Sequence, residues 1–171
     1  MVSRLASARS RGPAIRSGMI TISSVEDLTP HIGQHLGYSA GHLVTQERVD
    51  TFAEATGDHQ WIHVDPVRAA DGPFGGTIAH GYLTLSLGPT MIHDIVKWEN
   101  VRMGVNYGLN KVRFPSPVRV GSTLRLGAVL TGAEPLGDGG VQVTMDLTFE
   151  VEGSPKPACV AELILRYYFN Q

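Results

Sequence analysis

Between Gly72 and His93 the chain runs for 22 residues without an Asp, Glu, Lys or Arg. A stretch of that length is enough to cross a bilayer. It is interrupted, however, by Gly72, Pro73, Gly75, Gly76, Gly81, Gly88 and Pro89, and it contains His80 and His93. Backbone broken that often would leave polar groups unpaired in lipid, so the reading is not a membrane span. The alternative is a loop to about Ala79 and then a helix to about Val96. Tyr82, Leu83, Leu85, Leu87, Met91, Ile92, Ile95 and Val96 cover nearly all faces of that helix. A helix that is apolar all round has to be enclosed by the rest of the chain. Pro89 is expected to bend it.

The enclosing structure follows Asn100, where the hydrophobic period changes to two. Val101 to Phe114 reads as a long strand, and Pro115-Ser116-Pro117 marks a bend. Thr123 to Thr131 alternates through Leu124, Leu126, Ala128 and Leu130. After a Gly137-Asp138-Gly139-Gly140 turn, Val141, Val143, Met145, Leu147, Phe149 and Val151 alternate with polar residues, the signature of a half-buried antiparallel strand. Gly153-Ser154-Pro155 turns the chain into a last strand, Ala158 to Phe169. The economical arrangement is α+β, an antiparallel sheet wrapped around a long central apolar helix. An earlier short strand, near Leu36 to Tyr38 or His42 to Val44, is expected at its edge. One such sheet leaves an edge and a helix flank open, which predicts a homodimer.

Upstream of the uncharged run the signals are local. Ser23-Ser24-Val25-Glu26-Asp27-Leu28 reads as a helix start with serine caps, and His31 to Gly41 as loop. Thr45 caps a helix running to about Thr56, and Gly57 stands where a C′ glycine stops one. Asp65-Pro66 opens a short helix through about Asp71. Residues 1–18 carry Arg4, Arg9, Arg11 and Arg16 and no acid. They read as a disordered basic tail, or as residues ahead of a true start at Met19, leaving 19–171 as a single domain. A net charge of −2 over 171 residues offers no broad basic surface for nucleic acid. The lone Cys159, in an apolar run, reads as a core thiol.

The chemistry concentrates in Thr56 to Gly81, TGDHQWIHVDPVRAADGPFGGTIAHG. Asp58, His63 and the His80-Gly81 pair meet at the mouth of the uncharged run. Ionisable groups at an element end, opening onto an apolar helix, suggest a reaction site beside an apolar pocket. Taken alone, Asp58 could equally cap a turn and His63 could be a core histidine. His59 and His63 are spaced four apart, as metal ligands on a helix can be. The Gly57 stop and the Asp65-Pro66 cap argue against a helix between them, so no metal is expected. His80 is expected to shape the loop, and Lys111 and Arg113 to form a solvated strand face.

The segments GDHQWIH, IAHGYLTLSL and VRFPSPVRVGSTLR resemble the MaoC-like (R)-specific enoyl-CoA hydratases, most nearly the actinobacterial NodN-like hydratases. The resemblance extends from about Val25 to Tyr168 and implies a hot-dog fold. It implies that Asp58 and His63 hold the water that adds to an enoyl thioester, and that the backbone N–H of Gly81 receives the thioester carbonyl. The implied enzyme is a cytoplasmic hydro-lyase of fatty-acid metabolism making (3R)-hydroxyacyl-CoA from an acyl-CoA thioester. It needs no metal or organic cofactor, since CoA enters with the substrate. Two departures stand out. Gln60-Trp61 replaces the family's Asn-Pro, which is expected to leave the loop less rigid. Pro89 stands where some members carry serine, so no serine is assigned. Three other functions fit the same resemblance: a carrier-protein dehydratase, a hot-dog thioesterase and a non-catalytic acyl-CoA-binding module.

Overall fold

The computed structural model describes residues 18–137 and 139–170, so the basic tail lies outside the described residues but for Gly18, as does Asp138 of the expected turn. The chain opens with β1 (Ile20–Ile22) and a 3-10 helix over Glu26–His31. The expected serine caps are reversed: the Asp27 carboxylate accepts from the N–H groups of Ser23 and Ser24, at 2.8 and 3.1 Å. Next come β2 (His35–Tyr38) and β3 (His42–Leu43), so both candidate edge strands form. In α1 (Gln46–Thr56) the Thr45 side chain accepts from the Arg48 N–H, and Gly57 ends the helix at φ 77. Only glycine enters that left-handed region without a steric penalty.

Sequence reasoning placed no helix between Gly57 and Asp65, yet α2 (Trp61–Val64) is there. A single turn needs only four residues, and the gap accommodates it: His63 N–H bonds Gln60 O and Asp65 N–H bonds Trp61 O. α3 (Pro66–Ala70) follows as expected, with Asp65 capping Arg68 N–H and Pro66 in the first turn.

The central helix departs from expectation in two ways. It divides at Leu87 into α4 (Gly81–Ser86) and α5 (Gly88–His93), as Pro89 lacks an N–H to carry the ladder across. It also stops before Val96. Residues Val96–Trp98 form β4, which pairs in parallel with β1, and Ile20 N–H bonds Ile95 O at 3.0 Å. Tertiary strand pairing has overridden a local helical pattern. Nor is the helix enclosed on every side, since Tyr82 is 71% exposed.

The sheet comprises β5 (Val101–Arg113), β6 (Thr123–Pro135), β7 (Gly140–Val151) and β8 (Cys159–Phe169), in the order β2-β6-β7-β8-β5, with β3 also on β6. Every pairing in it is antiparallel. Alternate residues of β6, β7 and β8, among them Leu126, Met145, Phe149 and Leu163, bury together with Leu83, Met91 and Ile92 of the helix. Each such side chain contributes about 1.5–3 kcal/mol by leaving water. Cys159 is part of this core, and burial pushes its thiol up to about 11. β5 is different: it ends the sheet, and Met103 (46%) and Tyr107 (54%) are open to solvent.

Candidate active site

The left-handed turn at Gly57 swings the chain away from α1 and leaves Asp58 exposed beyond it. His63, on α2, is buried at 7% exposure. Its Nδ1–H donates to Ile78 O at 2.7 Å. A carbonyl can only accept, so the proton is on Nδ1 and the Nε2 lone pair is left as an acceptor. Burial holds the His63 pKa below the ordinary 6.5; the Ile78 bond opposes that, the His80 ring adds to it, and the Asp58 charge opposes it. The neutral imidazole is therefore the resting form near neutral pH.

The Ile78 carbonyl is itself well fixed. Ile78 N–H bonds Ile62 O, Ala79 N–H bonds Val118 O and Val120 N–H bonds Thr77 O, at 3.0, 2.8 and 2.9 Å. Gln46 ties the same groups together from α1. Its Nε2 donates to His63 O at 2.7 Å, and its Oε1 accepts from Thr77 Oγ1 at 2.6 Å. Sequence reasoning missed Gln46 and Thr77, because nothing in a first-turn glutamine or a loop threonine announces a long-range bond.

His80, noted beside Asp58 and His63 but expected to shape the loop, packs directly against His63. It is 3% exposed, and its ring stacks on His63 at 3.8 Å and 27°. Phe52 of α1 flanks it at 5.1 Å. His80 Nε2–H donates to the backbone carbonyl of Asp58 at 2.9 Å, while its buried Nδ1 has no protein partner among the described residues. One ligand-capable atom from each of Asp58, His63 and His80 lies within 4.8 Å of the others. Stacked rings suit a metal poorly, since an ion between them would sit well outside both ring planes. His59 points elsewhere, to Glu54 at 3.7 Å on the surface.

Gly81 opens α4 with His80 as its cap, so its N–H precedes the first intrahelical bond, Thr84 N–H to His80 O. A Cβ at Gly81 would sit 3.2 Å from the Phe114 ring, so a larger residue here would make that ring give by a few tenths of an ångström. The Gln60-Trp61 departure brings a restraint of its own: the Arg68 guanidinium lies 4.4 Å over the Trp61 ring, and a Cβ at Gly72 would come within 3.0 Å of that ring. Lys111 and Arg113 are exposed on β5, and Arg113 turns back to the Val112 carbonyl.

Comparison with known proteins agrees with this architecture. The MaoC like domain family matches residues 27–151. "3-Hydroxyacyl-thioester dehydratase Z" of Mycobacterium tuberculosis is 58% identical over 149 residues, covering 87% of this chain and 99% of that protein. "Nodulation protein N" of Rhizobium leguminosarum bv. viciae is 46% identical, over 86% of this chain and 92% of its own. An R-hydratase from Pseudomonas aeruginosa, solved unliganded, superposes with a TM-score of 0.65 at 21% identity, covering 86% of this chain and 87% of its own, and shares the fold. With the sheet, the helix and the sequence match in agreement, the chain belongs to the MaoC-like family and has its hot-dog fold.

Proposed function

We propose that the chain is an (R)-specific enoyl-CoA hydratase. It adds water syn across the C2=C3 bond of a trans-2-enoyl thioester to give (3R)-hydroxyacyl-CoA, and runs in reverse as a dehydratase. The observation that carries this reading is the tautomer of His63. With Nδ1–H given to Ile78, Nε2 is left as an acceptor, on a ring that has a ligand-capable nitrogen within 4.8 Å of the Asp58 carboxylate, also an acceptor. Two neighbouring acceptors suit a donor of two hydrogens, which is a water molecule with its lone pairs turned to C3. Asp58 takes the proton as the water adds, His63 orients the water and shares the proton, and the proton returns to C2 on the same face. The enolate-like charge on the thioester oxygen is met by the Gly81 N–H. No metal or organic cofactor is needed, and the acyl chain lies along the α4–α5 helix. The M. tuberculosis relative is named a 3-hydroxyacyl-thioester dehydratase, which is the reverse reaction, and this supports the hydratase reading.

The test is loss of enoyl absorbance from crotonyl-CoA, with chiral analysis of the product. An (S) product, or release of free thiol in place of hydration, would sink the assignment. Parallel assays with carrier-protein thioesters decide the carrier. We also read the protein as a homodimer. β5 ends the sheet with Met103, Val105, Tyr107 and Leu109 exposed, an apolar strand edge that a second copy would cover. Sedimentation of the purified protein as two copies is expected; a monomer at micromolar concentration contradicts it.

A further inference from the structure

Asp58 and His63 belong to different elements, and no hydrogen bond joins their side chains among the described residues. One ring connects them. His80 donates through Nε2 to the Asp58 carbonyl and presents its face to the His63 imidazole. Phe52 backs it, and its cap position before α4 fixes it to Gly81, the residue that follows. We propose that His80 is a positioning residue, which sets Asp58, His63 and the Gly81 N–H in one geometry and keeps His63 in its acceptor form. This rests on the hydratase reading for what the geometry serves, but not for the arrangement itself.

The electrostatic half has a defined direction. The titratable groups that face His63 are Asp58, from the turn after α1, and His80, from the turn before α4; Ile78 and Phe52 bring no charge. A second imidazole in face contact disfavours a positive charge on His63, and the two stacked rings cannot readily both carry one. Removing the His80 imidazole takes away that opposition, so the His63 pKa moves up towards 6.5.

Two variants separate the parts. His80→Gln keeps an amide donor near the place of Nε2 and removes the ring; His80→Phe keeps a ring against His63 and removes the donor. His63 is followed by NMR titration of the resting protein, and turnover with crotonyl-CoA across pH. Both variants are expected to raise the His63 titration and shift the acid limb of kcat/KM upward. His80→Phe is expected to lower kcat about 10²-fold with KM little changed, as misplacing a reacting group does, and His80→Gln to recover part of that loss. A purely structural His80 would lower thermal stability in both variants while leaving the His63 titration where it was, and that result overturns the proposal. If His80→Phe does not fold, His80→Gln decides through the titration. Should the wild-type protein fail to hydrate any enoyl thioester, the hydratase reading falls, and the titration alone judges His80.

Discussion

The α4–α5 helix has a histidine and an aspartate at each end, and the two pairs are wired differently. At the far end His42 Nε2–H donates directly to the Asp94 carboxylate at 2.8 Å, strapping β3 to the residue that follows α5. At the near end the His63 N–H goes to a backbone carbonyl instead, and the Asp58 carboxylate stays exposed. Direct contact uses up donor and acceptor together, so the His42–Asp94 pair has stability to offer and little chemistry. Where a carbonyl takes the imidazole proton, both side chains keep an acceptor for a third party. Which group receives the N–H, more than closeness to a carboxylate, distinguishes the two histidines.

The sharpest way to break this contrast is to delete the acceptors. Asp58→Asn or His63→Ala is expected to lower kcat about 10³-fold, within the range for general acid–base groups, with the folded far-ultraviolet spectrum retained. Full hydration in both would remove the near pair from the chemistry. Gly81→Ala comes next: its Cβ meets Phe114 and pushes the N–H out of line, for a loss on the order of 10² in kcat. For wild type, the lowered His63 pKa puts the acid limb of kcat/KM below pH 6.5. Its sign on stability follows: between that lowered value and 6.5 the unfolded chain binds more protons, so stability rises with pH through the window. Denaturant curves at successive pH values check this, and His63→Ala should flatten the slope.

Smaller effects probe the supports. Gln46→Leu leaves the Thr77 hydroxyl and the His63 carbonyl without their bonds, at about 1–3 kcal/mol in urea unfolding. The smallest change is expected at the far pair. His42→Ala removes a partly exposed side-chain hydrogen bond worth about 1 kcal/mol, and steady-state kinetics should not move. A drop in kcat there would show that the two ends of the helix communicate.

Much of this was legible because it rests on chemistry between near neighbours in sequence. Thr45 and Gly57 bracket α1 through bonds made within four residues, and the alternation through Val141–Val151 states which strand face is buried. What escaped depends on distant partners. β1 and β4 are three residues each, too short for a period, and exist only by pairing with one another. His80 enters the site because Ile78 bridges to Arg119 and brings the preceding segment against α2. No spacing near His80 encodes that bridge. Asp58, His63 and the His80-Gly81 pair stand out in the sequence and their roles were assigned by resemblance, whereas the stacking of His80 on His63 became visible only in three dimensions.

The stitching of residues 77–79 to residues 118–120 also fixes an order of events. The acid and histidine leave the ribosome early, but the carbonyl that sets the histidine tautomer has no firm position until Val118 and Val120 have arrived to hold its neighbours. A nascent chain that ends before Val118 holds Asp58, His63 and His80 but not the segment that fixes the neighbours of the Ile78 carbonyl. The arrangement is completed late in the chain. Long-range contacts of this kind slow folding, and here they hold the partner of the His63 imidazole in place only once the chain extends past Val120.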